Sequence, residues 1–335
     1  MSPPDDHPTI PPPRIGVLLV NLGTPDAPDA AAVRRYLAEF LSDPRVIEIP
    51  RIAWKPILHG IILRTRPAKS AHAYKQVWSE EGSPLAAITI RQANALRERF
   101  GDAVIVDHAM RYGKPAIAPA VERLVAAGCT RILFAPLYPQ YCAATTATAN
   151  DVLFAILARM RWQPAIRTLP PYHDDPLYIE ALKASIERQV AALDFTPDRI
   201  LLSFHGMPQR TLELGDPYHC HCQKTARLVG EALGRDVDIA FQSRFGRAKW
   251  LEPSTESVLA AYPGKGVKRI AIAAPGFSAD CLETLEELGI RGRATFMDAG
   301  GEHFARLDCL NDSPEAITML EALLGRELEG WRHAD

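Results

Sequence analysis

One histidine and two glutamates stand out by type and spacing. His205 follows an apolar run at 199–204 and precedes Gly206-Met207-Pro208. Glu283 and Glu287 lie four residues apart in Cys281-Leu282-Glu283-Thr284-Leu285-Glu286-Glu287-Leu288. That spacing predicts one shared helix face, where like charges repel mildly, with Leu285 and Leu288 turned toward the core. Carboxylates in a first turn also complement the helix dipole, which accounts for Glu283 but not for Glu287, one turn further in. Two carboxylates opening onto a space shared with an imidazole can hold a divalent cation weakly, or relay protons.

Side chains on separate segments need a frame that brings them together. Short β-branched runs at 15–20, 104–107, 131–135, 199–204, 237–241 and 269–274 predict strands. Each is nearly continuous in apolar residues, as in a parallel sheet covered on both faces. Helical patterns at 31–40, 90–99, 116–127, 175–193, 222–233 and 255–261 lie between them. The alternation predicts a doubly wound α/β fold.

The predicted strand ends repeat in order. Gly23-Thr24-Pro25 is matched by Gly206-Met207-Pro208, and Arg111-Tyr112-Gly113 by Arg244-Phe245-Gly246. Pro136, followed by Cys142, is matched by Pro275, followed by Cys281. Three matches in one order imply two copies of one domain with parallel sheets. We divide the chain into a leader at 1–13, a first half at 14–170 with a lip insertion at about 41–84, a second half at 171–313 carrying His205 and Glu283, and a helix at 314–335. Ligands of open α/β sheets bind beyond the carboxyl ends of the strands, so two facing copies bring their strand-end loops to one cleft. No strand is followed by Gly-x-Gly-x-x-Gly and no Walker A motif occurs, which leaves the phosphate-cradling reading weak. Measured against the repeat, His205 stands where the first copy has Leu22.

Insertion of a metal into a porphyrin needs such a set. Two pyrrole protons must leave, so a base must face the ring. The cation must be handed over, so its protein ligands should be N and O and few; a closed Cys-rich site would hold it too tightly. The macrocycle needs an apolar slot with aromatic walls, and cations for its two propionates. Trp250, Phe277, Tyr112 and Tyr74 are candidate walls; Arg64, Arg66 and Arg111 are candidate cations.

Composition narrows the class. Of 335 residues, 47% are hydrophobic, enough for two ordinary domains to bury cores. Lys+Arg is 38 and Asp+Glu is 40, a balance that gives no sign of a nucleic-acid partner. Six Cys in a chain of this length fit a reducing, cytoplasmic setting. The acidic, Pro-rich start is no signal peptide and reads as a disordered leader. No run reaches the roughly 20 apolar residues of a membrane span. The apolar patch at 54–63 has two readings: a peripheral contact at the inner membrane face, or a half-buried helix.

Several of these motifs together resemble the ferrochelatase family. The resemblance rests on Val20-Asn21-Leu22-Gly23-Thr24-Pro25, Tyr74 through Gly82-Ser83-Pro84-Leu85, Leu201 through Pro208, Gly215-Asp216-Pro217-Tyr218, Phe241 through Gly246 and Phe277 through Leu288. It covers about residues 14–330. It implies two Rossmann-like, chelatase-type domains, the last helix packing back on the first half, and ferrous iron and protoporphyrin IX as substrates in the last step of haem synthesis. It further implies that His205 contacts the metal, that Glu283 is its acidic partner across the cleft, and that Glu287 belongs to the proton path. Arg111, Tyr112 and Trp250 match positions lining the porphyrin pocket. Leu22 stands where members acting on coproporphyrin often carry Tyr, which points to protoporphyrin. Cys281 stands where some members have a second His.

Some members hold a [2Fe–2S] cluster. The chain ends in Trp331-Arg332-His333-Ala334-Asp335, without the Cys-rich tail of one such group. Cys220 and Cys222 remain candidate internal cluster ligands or ordinary thiols; a cluster needs four ligands, and Cys129, Cys142, Cys281 and Cys309 are the other thiols. Two other functions stay open: a chelatase placing cobalt or nickel in another tetrapyrrole, and a non-enzymatic haem-binding protein. A pure binder gains nothing from two acidic groups beside a dianionic ligand.

Overall fold

A computed structural model describes residues 13–246 and 248–331. The expected leader, apart from Pro13, lies outside these residues, as do the last four of the chain. The strands are β1 (Arg14–Thr24), β2 (Val104–Gly113), β3 (Cys129–Pro136), β4 (Ala165–Thr168), β5 (Arg199–His205), β6 (Val237–Gln242), β7 (Arg269–Ala273) and β8 (His303–Arg306). They form two four-stranded sheets in the orders β2-β1-β3-β4 and β6-β5-β7-β8, parallel throughout. One topology thus occurs twice. The six strands expected from the sequence are present, and β4 and β8 add to them. Both are four-residue edge strands carrying polar residues, too short and mixed to give an apolar signal.

The helices are α1 (Ala30–Phe40), α2 (Arg51–Ile57), α3 (Leu63–Val77), α4 (Pro84–Phe100), α5 (Ile117–Ala126), α6 (Thr148–Leu157), α7 (Pro176–Ala191), α8 (Gln209–Glu213), α9 (Tyr218–Leu233), α10 (Thr255–Ala261), α11 (Arg293–Asp298) and α12 (Pro314–Glu327). Local chemistry sets several starts. Asp29 and Asp175 cap α1 and α7 with side-chain oxygens, and Ser313 caps α12. Pro at the first turn opens α4, α7 and α12. Three stretches, Leu58–Ile62, Ala143–Ala147 and Glu283–Gly292, are π-helical, widened to i→i+5 bonding.

Alternation along the central strands divides the apolar residues. Val17 and Leu19, with Leu202 and Phe204, enter one core shared by both sheets and by α4, α7, α9 and α12. Leu18 and Val20 face α5 and α6, whereas Leu201 faces α10 and α11. α12 packs on α4 and α7. No described helix is long and apolar enough to cross a membrane.

The repeat is real in topology but shifted in register. A Cβ at Gly23 would fall on the Tyr112 carbonyl, and one at Gly206 on the Gln242 carbonyl. The residue after each carbonyl has left-handed φ: Gly113 at 81° and Ser243 at 63°. The glycine contact therefore matches Tyr112-Gly113 with Gln242-Ser243, although the ladder pairs Tyr112 with Gly23 and Gln242 with His205, one residue earlier in the second sheet. Arg244-Phe245-Gly246 instead lies in the loop past β6. The third match is one residue out, since Val20 pairs with Pro136 while Leu202 pairs with Ala273.

At Gly23, φ is 110° and there is no space for a side chain. Gly23→Ala should cost more than about 3 kcal/mol. Urea denaturation checks this; a midpoint equal to that of the unsubstituted protein would contradict it.

Candidate active site

β5 carries His205 to the carboxyl edge of the second sheet, where its side chain is half-buried. The imidazole Nδ1 lies 2.7 Å from the carbonyl oxygen of Gly206. A carbonyl only accepts, so Nδ1 carries a proton, and in the neutral ring the lone pair is then on Nε2. Tyr218, buried at the start of α9, donates its hydroxyl to the His205 carbonyl at 3.0 Å. The Phe277 ring centroid is 6.5 Å from that of His205. Trp250 packs against Gly206.

Glu283 opens the π-helix after β7, the strand adjacent to β5. His205 and Glu283 thus belong to the same half. Glu283 faces the first half: Leu282 packs with Val33, Ala71 and Tyr74. Burial first, and then the nearby Glu283 charge, push the Tyr74 hydroxyl well above its ordinary pKa. Asn21 at the end of β1 donates to Thr89 at 3.2 Å and to Ser278 at 3.4 Å, joining the strand-end loops of both halves.

The expected open carboxylate pair does not form. Both oxygens of Glu287 accept from Ser243, one from the backbone N–H at 2.7 Å and one from the hydroxyl at 2.5 Å. Arg291 stands 3.8 Å away. Glu287 therefore holds the left-handed Ser243 in place. The buried residues of the π-helix are Thr284, Glu286, Leu288 and Gly292, whereas Leu285 is half-buried, because the wider turn rotates successive side chains differently.

Arg111 and Tyr112 are also placed differently from the reading above. Arg111 pairs with buried Asp43, and its Nε donates to the Thr148 hydroxyl at 2.7 Å. Tyr112 is 0% exposed. Its ring is covered by Phe40 and by the Arg111 guanidinium, and its hydroxyl donates to Asp43 at 3.0 Å. Burial would raise the Asp43 pKa. The Thr148 hydroxyl, the Arg45 N–H, Tyr112 and Arg111 outweigh it and hold the carboxyl below its ordinary value. The Arg111 charge is thus already matched, and Tyr112 supports the base of the lip rather than walling an open slot. Arg64 is exposed. Arg66 reaches from α3 over the Phe245 ring, 4.8 Å from its centroid. Leu22 is half-buried at the end of β1.

The lip explains the two-sided sequence at 54–63. Trp54, Leu58 and Leu63 are buried, and the Trp54 indole donates to the Leu41 carbonyl at 2.6 Å. Ile52, Ile57 and Ile61 point outward, Ile52 at 91% exposure.

The thiols do not converge. Cys220 is exposed and Cys222 fully buried, on opposite sides of α9. Cys142 and Cys222 share the central core, whereas Cys129, Cys309 and Cys281 lie in three separate clusters. Burial raises the Cys142, Cys222, Cys281 and Cys309 thiols well above their ordinary range, against the thiolate that iron binding requires. The residues present do not fit a four-thiolate cluster. Among the described residues no group of three or more His, Cys, Asp or Glu is placed to hold a metal ion.

Sequence reasoning gave no role to Asp43, Ser203, Asp216, Tyr218 or Gln242. Asp216 accepts from the N–H groups of Ala143 and Tyr218, linking the first half to α9. The quoted motifs contained Ser203, Asp216, Tyr218 and Gln242, but gave no signal of which residues pair across them; Asp43 lay outside every motif. At the same joint the His173 and His221 rings stack 3.5 Å apart, and His221 Nδ1 accepts the Tyr141 N–H.

The chain matches the family model described as Ferrochelatase over residues 14–328. It is 54% identical to the ferrochelatase of Rhizobium meliloti (strain 1021), over 97% of this chain and 98% of the relative. It is 52% identical to that of Agrobacterium fabrum, over 98% and 97%, and 54% identical to that of Methylibium petroleiphilum, over 95% and 89%. Among solved structures, SirB from Bacillus subtilis with Fe3+ aligns with a TM-score of 0.56 at 13% identity, covering 96% of this chain and all of that one. The sirohydrochlorin chelatase SirB in complex with cobalt, from subspecies spizizenii, aligns at 0.53 and 11%, over 95% and 98%. These two likenesses concern the fold.

The stacked histidines make the joint acid-sensitive. Burial, and then the His221 charge, lower His173 from 6.5 to about 4; burial also lowers His221. The folded state therefore favours neutral rings. Their contribution is complete above about pH 6.5 and is lost as pH falls toward 4. The urea midpoint should drop across that window, and less so in His173→Phe, which keeps a ring but cannot titrate. Identical pH profiles for the two proteins would refute this.

Proposed function

The chain belongs to the ferrochelatase family, and from that premise we propose that His205 and Glu283 take ferrous iron between them and pass it to protoporphyrin IX. The reaction is iron insertion into a porphyrin, a lyase-class step of haem biosynthesis. The observation that carries the site assignment is the His205 tautomer. With Nδ1–H fixed on the Gly206 carbonyl, Nε2 is a ready metal ligand, and a backbone carbonyl is the usual partner of a ligating histidine's other nitrogen. Glu283 adds negative charge and a base for the pyrrole protons. One imidazole and one carboxylate hold a divalent cation loosely enough to release it.

The remaining assignments follow position. Phe277 and Trp250, close to His205 and Gly206, wall the ring, and Tyr74 closes the side near Glu283. Arg64 and Arg66 on the lip meet the propionates. Leu22, apolar at its strand end, favours protoporphyrin over the more acidic coproporphyrin. Glu287 acts through Ser243, holding the loop that leads to Trp250. Exposed Ile52, Ile57 and Ile61, flanked by Arg51, Lys55 and Arg64, form a peripheral contact with an anionic membrane surface.

His205→Ala and Glu283→Gln should each reduce iron insertion by about 10²-fold or more, with circular dichroism unchanged. Loss of free-porphyrin fluorescence under anaerobic conditions reads the rate; wild-type turnover in either variant refutes the assignment. Replacing Ile52, Ile57 and Ile61 by Ser should release the protein from phosphatidylglycerol vesicles in co-sedimentation; undiminished sedimentation argues against the lip contact.

A further inference from the structure

Gln242 is bonded to both arms of the iron site and is itself 3% exposed. Its amide oxygen accepts the Ser203 hydroxyl at 2.9 Å, two residues before His205. Its amide nitrogen donates to the Glu283 carbonyl at 2.9 Å. Its backbone carbonyl accepts the Gly206 N–H at 2.7 Å, immediately after His205. Ser203 is in turn 2.8 Å from the Thr255 hydroxyl, so the amide is fixed at both ends. A primary amide that accepts at one end and donates at the other has its orientation determined.

The first half supplies an internal comparison. Tyr112 holds the corresponding carbonyl, against Gly23 and before a left-handed residue. There the side chain ties to Asp43 at the base of the lip. In the copy that carries the histidine, the same position ties to the π-helix that carries Glu283. Each half thus uses this place to anchor the segment crossing its strand ends, and only the second anchors a candidate ligand.

We propose that Gln242 is a positioning residue that fixes the separation and orientation of His205 and Glu283, and so governs capture of the ferrous ion but not of the porphyrin. This rests on the assignment of His205 and Glu283 as the iron-handling pair. Gln242→Met keeps the size of the side chain and removes both hydrogen bonds. Ser203→Ala is a milder change that frees one end of the amide.

The experiment measures insertion rate against ferrous iron at saturating protoporphyrin, together with porphyrin affinity by fluorescence quenching. For Gln242→Met the expected result is a 10–100-fold loss in kcat/KM for iron, the usual range for a residue that orients a metal ligand, with the porphyrin Kd unchanged. Ser203→Ala should move the same parameter less far. Folded Gln242→Met with wild-type iron kinetics overturns the proposal, as does a porphyrin Kd that weakens in proportion to the loss of turnover. If Gln242→Met does not fold, Ser203→Ala decides, and unchanged iron kinetics there overturn it. Full turnover in His205→Ala would remove the parent assignment instead; an inactive His205→Ala beside an unaffected Gln242→Met removes this inference alone.

Discussion

The architecture depends on a contact too close for any side chain. At the end of the first strand of each sheet, a glycine lies against the carbonyl of the neighbouring strand: Gly23 on Tyr112, Gly206 on Gln242. With no Cβ in between, the strands stay together to their last residue. The neighbouring chain then turns sharply through a left-handed residue. In the first sheet that residue is Gly113. In the second it is Ser243, which pays a conformational cost offset by the two hydrogen bonds it donates to Glu287. The residue before each glycine is thereby presented at the strand edge: Leu22 in one half, His205 in the other.

From that shared geometry the halves diverge in what they bury beside it. The first half buries an ion pair. Arg111 and Asp43, joined by Thr148 and Tyr112, tie the start of the lip to the strand ends. Such a pair is weak evidence for added stability, because desolvation offsets much of its attraction. Losing one partner is another matter and costs about 3–5 kcal/mol, since the remaining charge is stranded. The arrangement thus specifies where the lip begins. The second half buries a neutral network instead, Ser203, Thr255 and Gln242, against the Glu283 carbonyl. That network adds no charge of its own beside Glu283, which suits the loose binding of a mobile dication that we propose there.

The halves are joined on the far side of His205 by α9. Asp216 receives N–H groups from both halves, Tyr218 passes this constraint to the His205 carbonyl, and the His173–His221 stack closes the joint. His205 is consequently held through its backbone from two directions, by Tyr218 at its own carbonyl and by Gln242 at the next N–H. Its ring is held by the Gly206 carbonyl. A side chain whose backbone and ring are both fixed loses little freedom on binding, so the proposed role of His205 as a metal ligand would draw on a preorganised site.

The sequence by itself determined the periodic and local features. Apolar runs gave six of the eight described strands, helical patterns gave the segments between them, and the Gly-x-Pro repeat placed His205 at a strand end in the position of Leu22. These follow from interactions within a few residues, or from a pattern that burial imposes on every strand. Tertiary structure alone decided who bonds to whom. Asp43 meets Arg111 across 68 residues, and Gln242 meets Glu283 across 41, with no periodicity to announce either. It closed Glu287 onto Ser243, engaged Arg111, buried Tyr112, set Cys220 and Cys222 on opposite sides of one helix, and shifted two of the three repeat motifs. Composition says which side chains can donate or accept; only the folded chain brings one partner within 3 Å of another, and that pairing separates a residue that handles substrate from one that holds it in place.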